Sequence, residues 1–392
     1  MPWKETQKMD QKVMFVQQAL NPQVNFRQLC REYGVSAKTG YKWMERFEMG
    51  GLSALAEASR RPRSHAKQLC ESVVCEIIAL KLAHKHWGPK KIRVLYGRRH
   101  HEVPSESSFK RVLDKAGLTT HRRVRRSREG GRIHHGKVAR EPNAIWSVDF
   151  KGHWRDRHGG KVEPLTVRDE YSRFIFELRA VESSKTEVIR PCFERLFERH
   201  GLPEAIRSDN GTPFASANGL LGLSRLSVWW AALGISLERG RPGCPQDNAA
   251  HERMHFDVRR ELEAGRIGRE QAAFDLWRHE FNQVRPHESL DMRTPAEVYK
   301  DSQRSYEGTP DDLDYGAMAS RRVDRNGMIS IGGIPISIST ALRGWSVGLC
   351  PIDEHTTQVW FGNLLLGHLD PKTAAFQAAH GQPERPPTTQ HA

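Results

Sequence analysis

Residues 121 to 140 constrain the fold more than any other stretch of the chain, because they cannot pack into a protein core. This segment, "HRRVRRSREGGRIHHGKVAR", contains eight Lys or Arg residues against one Glu. Like charges at this density repel one another, and few apolar side chains are present to bury. The sequence therefore predicts a flexible basic tether over 121–141, with separately folded parts on either side.

The charge of the chain is concentrated on one side of this tether. The net formal charge is +14, yet residues 1–140 contain 30 Lys and Arg against 12 Asp and Glu, a surplus of +18, and the remainder has 31 against 35, or −4. A basic half joined to a mildly acidic half indicates an anion-binding module, and nucleic acid is the most common large polyanion in a cell. The alternative is a basic surface that only faces solvent.

Residues 26–47, "FRQLCREYGVSAKTGYKWMERF", predict two short helices around a turn at 33–35, with Ser36 capping the second helix. This spacing is typical of a helix-turn-helix domain, placed at 1–58 and followed by a basic linker at 59–68. On the second helix three cations fall four residues apart and face one side, where they could contact DNA phosphates: Lys38, Lys42 and Arg46. A small helical bundle with a solvated basic face is the alternative.

A second helix-turn-helix domain is predicted at 69–120. The amphipathic segment "LCESVVCEIIALKLAH" is interrupted by Gly88-Pro89, and a later helix begins with a cap at Ser105. The cations predicted to contact DNA here and in the tether are Lys90, Lys91, Lys110, Arg111, Arg122, Arg123, Arg125 and Arg126.

The apolar runs of the chain are short and interrupted by charges, so no membrane span is expected. The beginning of the sequence, "MPWKETQKMDQK", lacks the apolar segment of a secretory signal. We therefore expect a cytoplasmic protein with no membrane partner.

After the tether, carboxylates follow segments that predict strands. The strand "AIWSVDFKG" contains Asp149 among apolar residues, where an unpaired buried charge costs several kcal/mol unless it is hydrogen-bonded, paired or bound to a metal. Asp209, in "RSDNGTPF", follows the strand that begins at Ala205-Ile206. Asp-Asn-Gly is common in plain turns, so this tripeptide alone leaves open whether Asp209 is a turn residue or a metal ligand at the end of a strand.

A third acid lies on a helix that follows the loop "RPGCPQDNAA". Glu252 shares one face of this helix with His255 and Arg259, which we expect to contact DNA. Asp247 is the rival third acid, but it is well placed as the cap of the helix, and we prefer Glu252. Three carboxylates on rigid elements of one mixed sheet match the oxygen ligands that Mg²⁺ needs, with positions left for phosphate and water.

Four separate motifs then establish a resemblance. Asp149 in "WSVDFKG", Asp209 in "RSDNGTPF", Glu252 in "RPGCPQDNAAHERMH" and the segment "NQVRPHESLDMRTPAEVY" follow one another in this order. Together they resemble bacterial insertion-sequence transposases of the DDE superfamily, which includes retroviral integrases. The resemblance implies an α/β ribonuclease H-like core with a mixed sheet at 142–305, in which the three acids are catalytic metal ligands. It leaves open whether the "RPH" residues 285–287 pack in the core or face DNA.

Beyond the core, an acidic linker is predicted at 306–319, a small all-β barrel at 320–370 and a disordered tail at 371–392. The expected fold is thus multidomain, with all-α helix-turn-helix domains, an α/β core and an all-β end.

The predicted function is metal-dependent cleavage and strand transfer at the ends of an insertion element. In this hypothesis two Mg²⁺ or Mn²⁺ ions are bound, with Asp149 shared between them and one each held by Asp209 and Glu252. The partners are double-stranded DNA and at least one further copy of the chain, in a protein associated with the nucleoid. A transcriptional regulator with an inactive core and a nuclease of the same fold that only hydrolyses DNA are the alternatives.

Overall fold

The computed structural model describes residues 8–56, 68–119, 137–240 and 249–379. The four tether arginines 122, 123, 125 and 126 and the rival acid Asp247 lie outside these ranges. By its internal contacts the chain forms two compact units, Met1–Val74 and Cys75–Ala392. No helix in the described ranges is both long enough and apolar enough to cross a membrane.

The first helical region is a three-helix domain. The Ser36 hydroxyl accepts a hydrogen bond from the Thr39 N–H, which confirms the predicted cap. Gly40 is buried. A Cβ atom added there would lie 2.6 Å from Cys30 Sγ and 3.0 Å from the Phe15 ring. A side chain at this position would therefore separate the helices. The helices are α1 (Lys8–Ala19), α2 (Phe26–Glu32) and α3 (Ala37–Gly50).

The second helical region also contains three helices, as predicted. Ser105 caps the last of them by accepting from the Ser108 N–H, and Phe109 and Leu113 bury its apolar face completely. Pro89 occupies the first turn of the middle helix, where no hydrogen bond from its nitrogen is needed. The helices are α4 (Glu71–Ala83), α5 (Pro89–Gly97) and α6 (Glu106–Lys115).

A five-stranded mixed sheet forms the centre of the second unit, in the order β5-β4-β1-β6-β7. β1 pairs antiparallel with β4 and parallel with β6, and β6 is parallel to β7. Because β1 and β6 are parallel, their carboxyl ends lie at the same edge of the sheet. The strands are β1 (Ile145–Phe150), β2 (Trp154–Arg155), β3 (Lys161–Val162), β4 (Pro164–Asp169), β5 (Ile175–Ala180), β6 (Ala205–Ser208) and β7 (Ser236–Arg239).

Helices follow the strands in the order that the sequence predicts. One apolar cluster joins the sheet to α7 and α8 and includes Trp229 and Trp230, both almost fully buried. A π-helical turn, Arg259–Glu263, directly continues α9, and another, Glu280–Val284, continues α10. The helices are α7 (Thr186–His200), α8 (Arg225–Ala232), α9 (Ala249–Val258), α10 (Gln271–His279) and α11 (Pro295–Val298).

The C-terminal region consists of a five-stranded antiparallel sheet, in the order β14-β13-β12-β11-β8, and a separate hairpin of β9 and β10. Its apolar side shares a cluster with Val228 and Ala232 of α8. In the described ranges no pairing joins β8 to β14, so a closed barrel stays a prediction. The strands are β8 (Ala319–Arg322), β9 (Met328–Ile331), β10 (Ile334–Ser337), β11 (Ser346–Pro351), β12 (Thr357–Phe361), β13 (Leu364–Asp370) and β14 (Ala375–Ala378).

The predicted disordered tail starts too early. Residues 375–378 form β14, which pairs antiparallel with β13, and Phe376 packs against the apolar cluster of the C-terminal sheet. Composition favoured disorder because Pro and Gln are frequent further along, whereas pairing with β13 and the packing of Phe376 hold residues 375–378 in a short strand. The other domain boundaries stay predictions.

Candidate active site

Asp149 and Asp209 lie at the carboxyl ends of neighbouring parallel strands. The register pairs Ile145 with Ala205, Trp146 with Ile206 and Ser147 with Arg207. Continued by two residues, the same offset brings Asp209 level with Asp149, and adjacent strands are separated by only about 4.8 Å. The fold therefore places these two acids side by side, at the edge where open α/β sheets bind ligands.

Asp209 has the local geometry of a turn and also the position of a strand end. It follows the last residue of β6 directly, and its Oδ1 accepts a hydrogen bond from the Gly211 N–H at 3.1 Å. The turn fixes the backbone beyond the strand, and the carboxylate remains exposed. The two interpretations that the sequence left open are thus compatible with each other.

Helix α9 holds Glu252 over the sheet through two histidines. His251 is completely buried and forms hydrogen bonds with Ser147 Oγ (2.9 Å, from Nδ1) and Thr166 Oγ1 (2.6 Å, from Nε2). His255 Nε2 contacts the same Thr166 hydroxyl at 2.9 Å, and its Nδ1 lies 4.0 Å from Asp149 Oδ2. Because β4 pairs Thr166 with Asp149, these bonds fasten α9 beside the two aspartates.

The charges of the three acids act on one another. Burial, together with the carboxylates of Asp209 and Glu252, raises the pKa of Asp149 to about 7, against a backbone hydrogen bond at Phe150 that lowers it. The two histidines stay neutral, because burial lowers the pKa of His255 to about 3 and that of His251 well below its usual value. The site therefore concentrates negative charge that no neighbouring imidazolium neutralises.

This donor set suits a hard divalent cation. Carboxylate oxygens are the ligands that Mg²⁺ prefers, and a cation bound there would offset both the burial and the neighbouring charges that raise the pKa of Asp149. In the described part of the chain, no three His, Cys, Asp or Glu side chains converge closely enough to form a complete metal-binding group. The three carboxylates suit a metal ion by their oxygen atoms and by their combined negative charge, but they do not form a complete binding group in this structure.

Thr166 and Ser147 are the residues of this site that sequence reasoning missed. Both are small polar residues within buried strands, with no exposure at Ser147 or Thr166. A polar residue two positions before Asp149 lies on the same face of β1, so Ser147 carried a readable signal. Thr166 carried none, because its partners come from β1 and α9, which are distant in sequence.

Among the residues that the structure describes, six of the nine predicted to contact DNA are exposed. Lys38 and Lys42 are exposed on α3, and Arg46 is half-buried with its guanidinium 4.9 Å from the Trp43 ring. The exposed side chains outside this helix are Lys90, Lys110, Arg111 and Arg259. Their contact with DNA stays a prediction.

Two residues predicted to contact DNA, Lys91 and His255, are only partly exposed. Lys91 is half-buried, and burial lowers the pKa of its ammonium group to about 8. His255 faces Thr166 and Asp149, with only 13% of its side chain exposed. DNA contact by either side chain remains untested, while both have defined protein environments.

The "RPH" segment packs inside the protein. Arg285 and His287 are 4% and 6% exposed, and Arg285 forms ion pairs with Asp257 at 2.9 Å and Glu261 at 3.5 Å. Of the two roles that the sequence left open for this motif, the structure supports packing.

Family models match the chain over the regions that form this architecture. Two models described as integrase core domain match residues 139–245 and 233–295. A homeodomain-like model matches residues 39–113, and a helix-turn-helix model matches residues 11–63. The core matches contain all three acids of the site.

Two of the relatives are proteins of bacterial insertion elements. The chain is 27% identical over 240 residues to "Insertion element IS407 uncharacterized 31.7 kDa protein" of Burkholderia multivorans, covering 59% of this chain and 83% of that protein. It is 25% identical over 252 residues to "Insertion element IS476 uncharacterized 39.2 kDa protein" of Xanthomonas euvesicatoria, covering 62% and 70%. The catalytic core domain of BIV integrase covers 40% of this chain and 93% of its own length, at 25% identity and a TM-score of 0.32.

Proposed function

We propose that this chain, a member of the DDE superfamily of insertion-sequence transposases and retroviral integrases, cuts DNA at the ends of an insertion element and joins those ends to a target. Its integrase core makes it a polynucleotidyl transferase, and its helix-turn-helix domains make it a DNA-binding protein. The details of the reaction, the metal and the assembly are the proposal.

One observation carries the proposal. The register of β1 and β6 brings Asp149 and Asp209 level, and the pKa of Asp149 responds to both Asp209 and Glu252. A structural role does not account for three acids at this edge, because no described cation pairs with Asp149 to offset their repulsion. A phosphoryl-transfer site does need such a concentration of oxygen ligands.

An integrase core is typically metal-dependent, and Asp149, Asp209 and Glu252 are the residues that would hold two Mg²⁺ or Mn²⁺ ions here. When bound, such ions stabilise the charge on a phosphate and make an attacking water more acidic. The neutral His251 and His255 fix α9, and therefore Glu252, to the sheet. They add no positive charge that would compete with the cations.

The reaction needs no protein nucleophile. In the first step a water oxygen displaces the 3′ oxygen of the element's terminal nucleotide from the phosphorus that joins it to the flanking DNA. The element is left with a free 3′-hydroxyl, and the flanking strand keeps a 5′-phosphate. In the second step this hydroxyl attacks a target phosphodiester, and one phosphorus–oxygen bond forms as another breaks. Both steps conserve the number of phosphorus–oxygen bonds, so strand transfer requires no external energy source.

The remaining parts of the chain would bind the DNA. We assign recognition of the element ends to the two helical regions, whose exposed cations include Lys38, Lys42, Lys110 and Arg111. Joining two ends requires at least two copies of the chain in the active complex. Such an enzyme works on chromosomal DNA, which places it in the cytoplasm at the nucleoid.

The test combines DNA binding and DNA joining in the full-length chain. Duplex oligonucleotides that cover the DNA immediately outside the gene are incubated with a supercoiled plasmid and Mg²⁺, and joined products are counted. We expect Asp149→Asn to abolish joining while the affinity for DNA stays within about twofold of the wild type. Asp291→Asn is the matched control, because Asp291 is exposed and has the left-handed backbone that Asn also adopts.

Each alternative gives a different result. A transcriptional regulator with an inactive core would show no joining in the wild type and identical DNA binding in both proteins. A hydrolytic nuclease would cut the oligonucleotides without attaching them to the plasmid. Joining that survives in Asp149→Asn would overturn the assignment of this acid.

A further inference from the structure

Arg285 is a buried cation that grips the helix carrying Glu252. Its guanidinium forms ion pairs with Asp257 at the end of α9 and with Glu261 in the π-helical turn that continues it. Glu261 also accepts a hydrogen bond of 2.6 Å from the Trp277 indole N–H. Arg285 therefore links α9 to α10 and to the chain that follows α10.

The ion pair between Arg285 and Asp257 lies on the side of α9 opposite its contacts with the sheet. At about 100° per residue, Asp257 is rotated around the axis of α9 by about 120° from His251 and about 160° from His255. His251 and His255 hold the side of α9 that faces Thr166. With attachments on two sides, α9 cannot rotate about its axis without breaking an ion pair or a buried hydrogen bond.

The second helical region closes over this arginine. The Trp87 ring, only 3% exposed, lies 5.8 Å from the Arg285 guanidinium, and the Phe281 ring lies 5.5 Å from it. Three further contacts join the same region to the core: His84 with Glu280 at 2.8 Å, Arg260 with His86 at 3.0 Å, and Arg98 with the Val284 carbonyl at 2.9 Å. A segment predicted to bind DNA thus packs against the π-helical turn that continues α9 and against the chain that follows α10.

Stability alone does not explain such a cluster. Replacing a buried ion cluster with apolar side chains of similar volume is often neutral or stabilising, since the ions lose their hydration. What an arginine adds is direction, because its planar fork fixes the angle of two carboxylates at once. The geometry of the Arg285 cluster therefore suits a residue that orients α9.

We propose that Arg285 is a positioning residue that fixes the rotation of α9, and hence the place of Glu252, while Trp87 of the second helical region covers it. The inference rests on the proposed function, since it assigns Glu252 to metal binding. It also means that the docking of the second helical region and the alignment of the active site are coupled.

The test measures metal affinity directly in the full-length protein. Mn²⁺ is titrated without DNA, and the free ion is followed by its paramagnetic resonance signal. Arg285→Lys keeps the charge but loses the fork, and we expect it to weaken Mn²⁺ binding about tenfold, the effect typical of residues that orient metal ligands. Asp257→Asn should also weaken Mn²⁺ binding.

Two further readouts separate positioning from a general loss of structure. The thermal midpoint and the affinity for DNA in EDTA should stay close to wild type in Arg285→Lys, whereas hydrogen exchange should accelerate in α9 and not in α7. Arg304→Lys is the matched control, because Arg304 binds the backbone carbonyls of Pro203 and Leu233, at the amino-terminal end of β6 and beyond α8. It should leave Mn²⁺ affinity unchanged.

The role of Trp87 is tested by a pair of variants. Trp87→Ala should weaken Mn²⁺ binding as Arg285→Lys does, and Trp87→Phe should retain most of the affinity. If Arg285→Lys and Trp87→Ala bind Mn²⁺ like the wild type, the inference is overturned while the proposed function stands. If the wild type itself binds no Mn²⁺, the proposed metal site and this inference both fail.

Discussion

Thr166 brings one hydroxyl group into contact with three partners from two elements. It donates to the Asp149 carbonyl at 2.8 Å and contacts the Nε2 atoms of His251 and His255. We predict that Thr166→Val destabilises the protein by about 2–6 kcal/mol, because His251 and His255 each lose a partner and leaving a buried polar group unsatisfied costs about 1–3 kcal/mol. Urea denaturation measures this loss.

The matched control for this change is Thr166→Ser, which keeps the hydroxyl and removes only a methyl group. It should retain most of the stability that Thr166→Val loses. Equal destabilisation by both variants would show that packing of the methyl group, and not the hydrogen bonds, is what the site requires.

His287 predicts a specific loss of stability in acid. Burial, with the charges of Lys91, Arg285 and Arg173, lowers its pKa to about 2, against a backbone hydrogen bond at Phe281 that raises it. Between this value and the unfolded pKa of about 6.5, the unfolded chain binds the extra proton, so stability falls as the pH falls below about 6.5. Between pH 7 and pH 5, His287 alone lowers the free energy of unfolding by about 2 kcal/mol.

The measurement is urea denaturation of the wild type and of His287→Asn at both pH values. The variant has a lower stability at pH 7, but its further loss on going to pH 5 should be smaller than that of the wild type by about 2 kcal/mol. An equal loss in the two proteins would contradict the prediction, because it would mean that His287 takes up its proton in the folded state as readily as in the unfolded chain.

The sequence identified some of these residues and missed others for a physical reason. A carboxylate that ends an apolar strand is visible locally, and the register of β1 and β6 brings Asp149 and Asp209 level as expected. The burial of Arg285 was not visible, because its partners Asp257 and Trp87 lie far away in the chain. An arginine in a polar segment has the same appearance whether it faces DNA or a buried carboxylate.

Helix α3 approaches its neighbours at Gly40, and this close contact sets the geometry of the first helical region. We predict that Gly40→Ala loosens this region, because the added Cβ would lie 2.6 Å from Cys30 Sγ and overpacking of this kind costs about 1–3 kcal/mol. Hydrogen exchange should accelerate in peptides from α2 and α3. The gain in helix propensity from Gly to Ala, about 1 kcal/mol, offsets only part of this cost.

The control is Glu45→Ala on the exposed side of the same helix, which improves helix propensity without a clash. Faster exchange in this control, or unchanged exchange in Gly40→Ala, would contradict the packing argument.

Local signals in the sequence predict helix caps well, whereas the closure of a sheet depends on pairing between distant residues. The caps at Ser36 and Ser105 are written in two or three adjacent residues, and both form as expected. Closure of a β-barrel depends on how β8 meets β14, two strands more than 50 residues apart, and no local pattern encodes that meeting. The same limit applies to the π-helical turn after α9, whose residue Glu261 binds Arg285 from a distant part of the chain.

The concentration of positive charge before residue 140 makes DNA binding by the whole molecule a salt-dependent equilibrium. Since each neutralised phosphate releases condensed counterions, we predict that replacing Lys38, Lys42 and Arg46 with Gln lowers the slope of log affinity against log salt by about 2–3. Fluorescence anisotropy with a labelled duplex between 50 and 200 mM KCl, roughly the range in which such slopes are measured, provides the values.

Arg195→Gln with Arg199→Gln, which removes two exposed charges from α7 of the core, is the control and should leave the slope unchanged. An unchanged slope in the triple variant would show that α3 does not face the phosphates. The basic surface there would then only face solvent, and end recognition would have to come from the second helical region, which packs against Arg285.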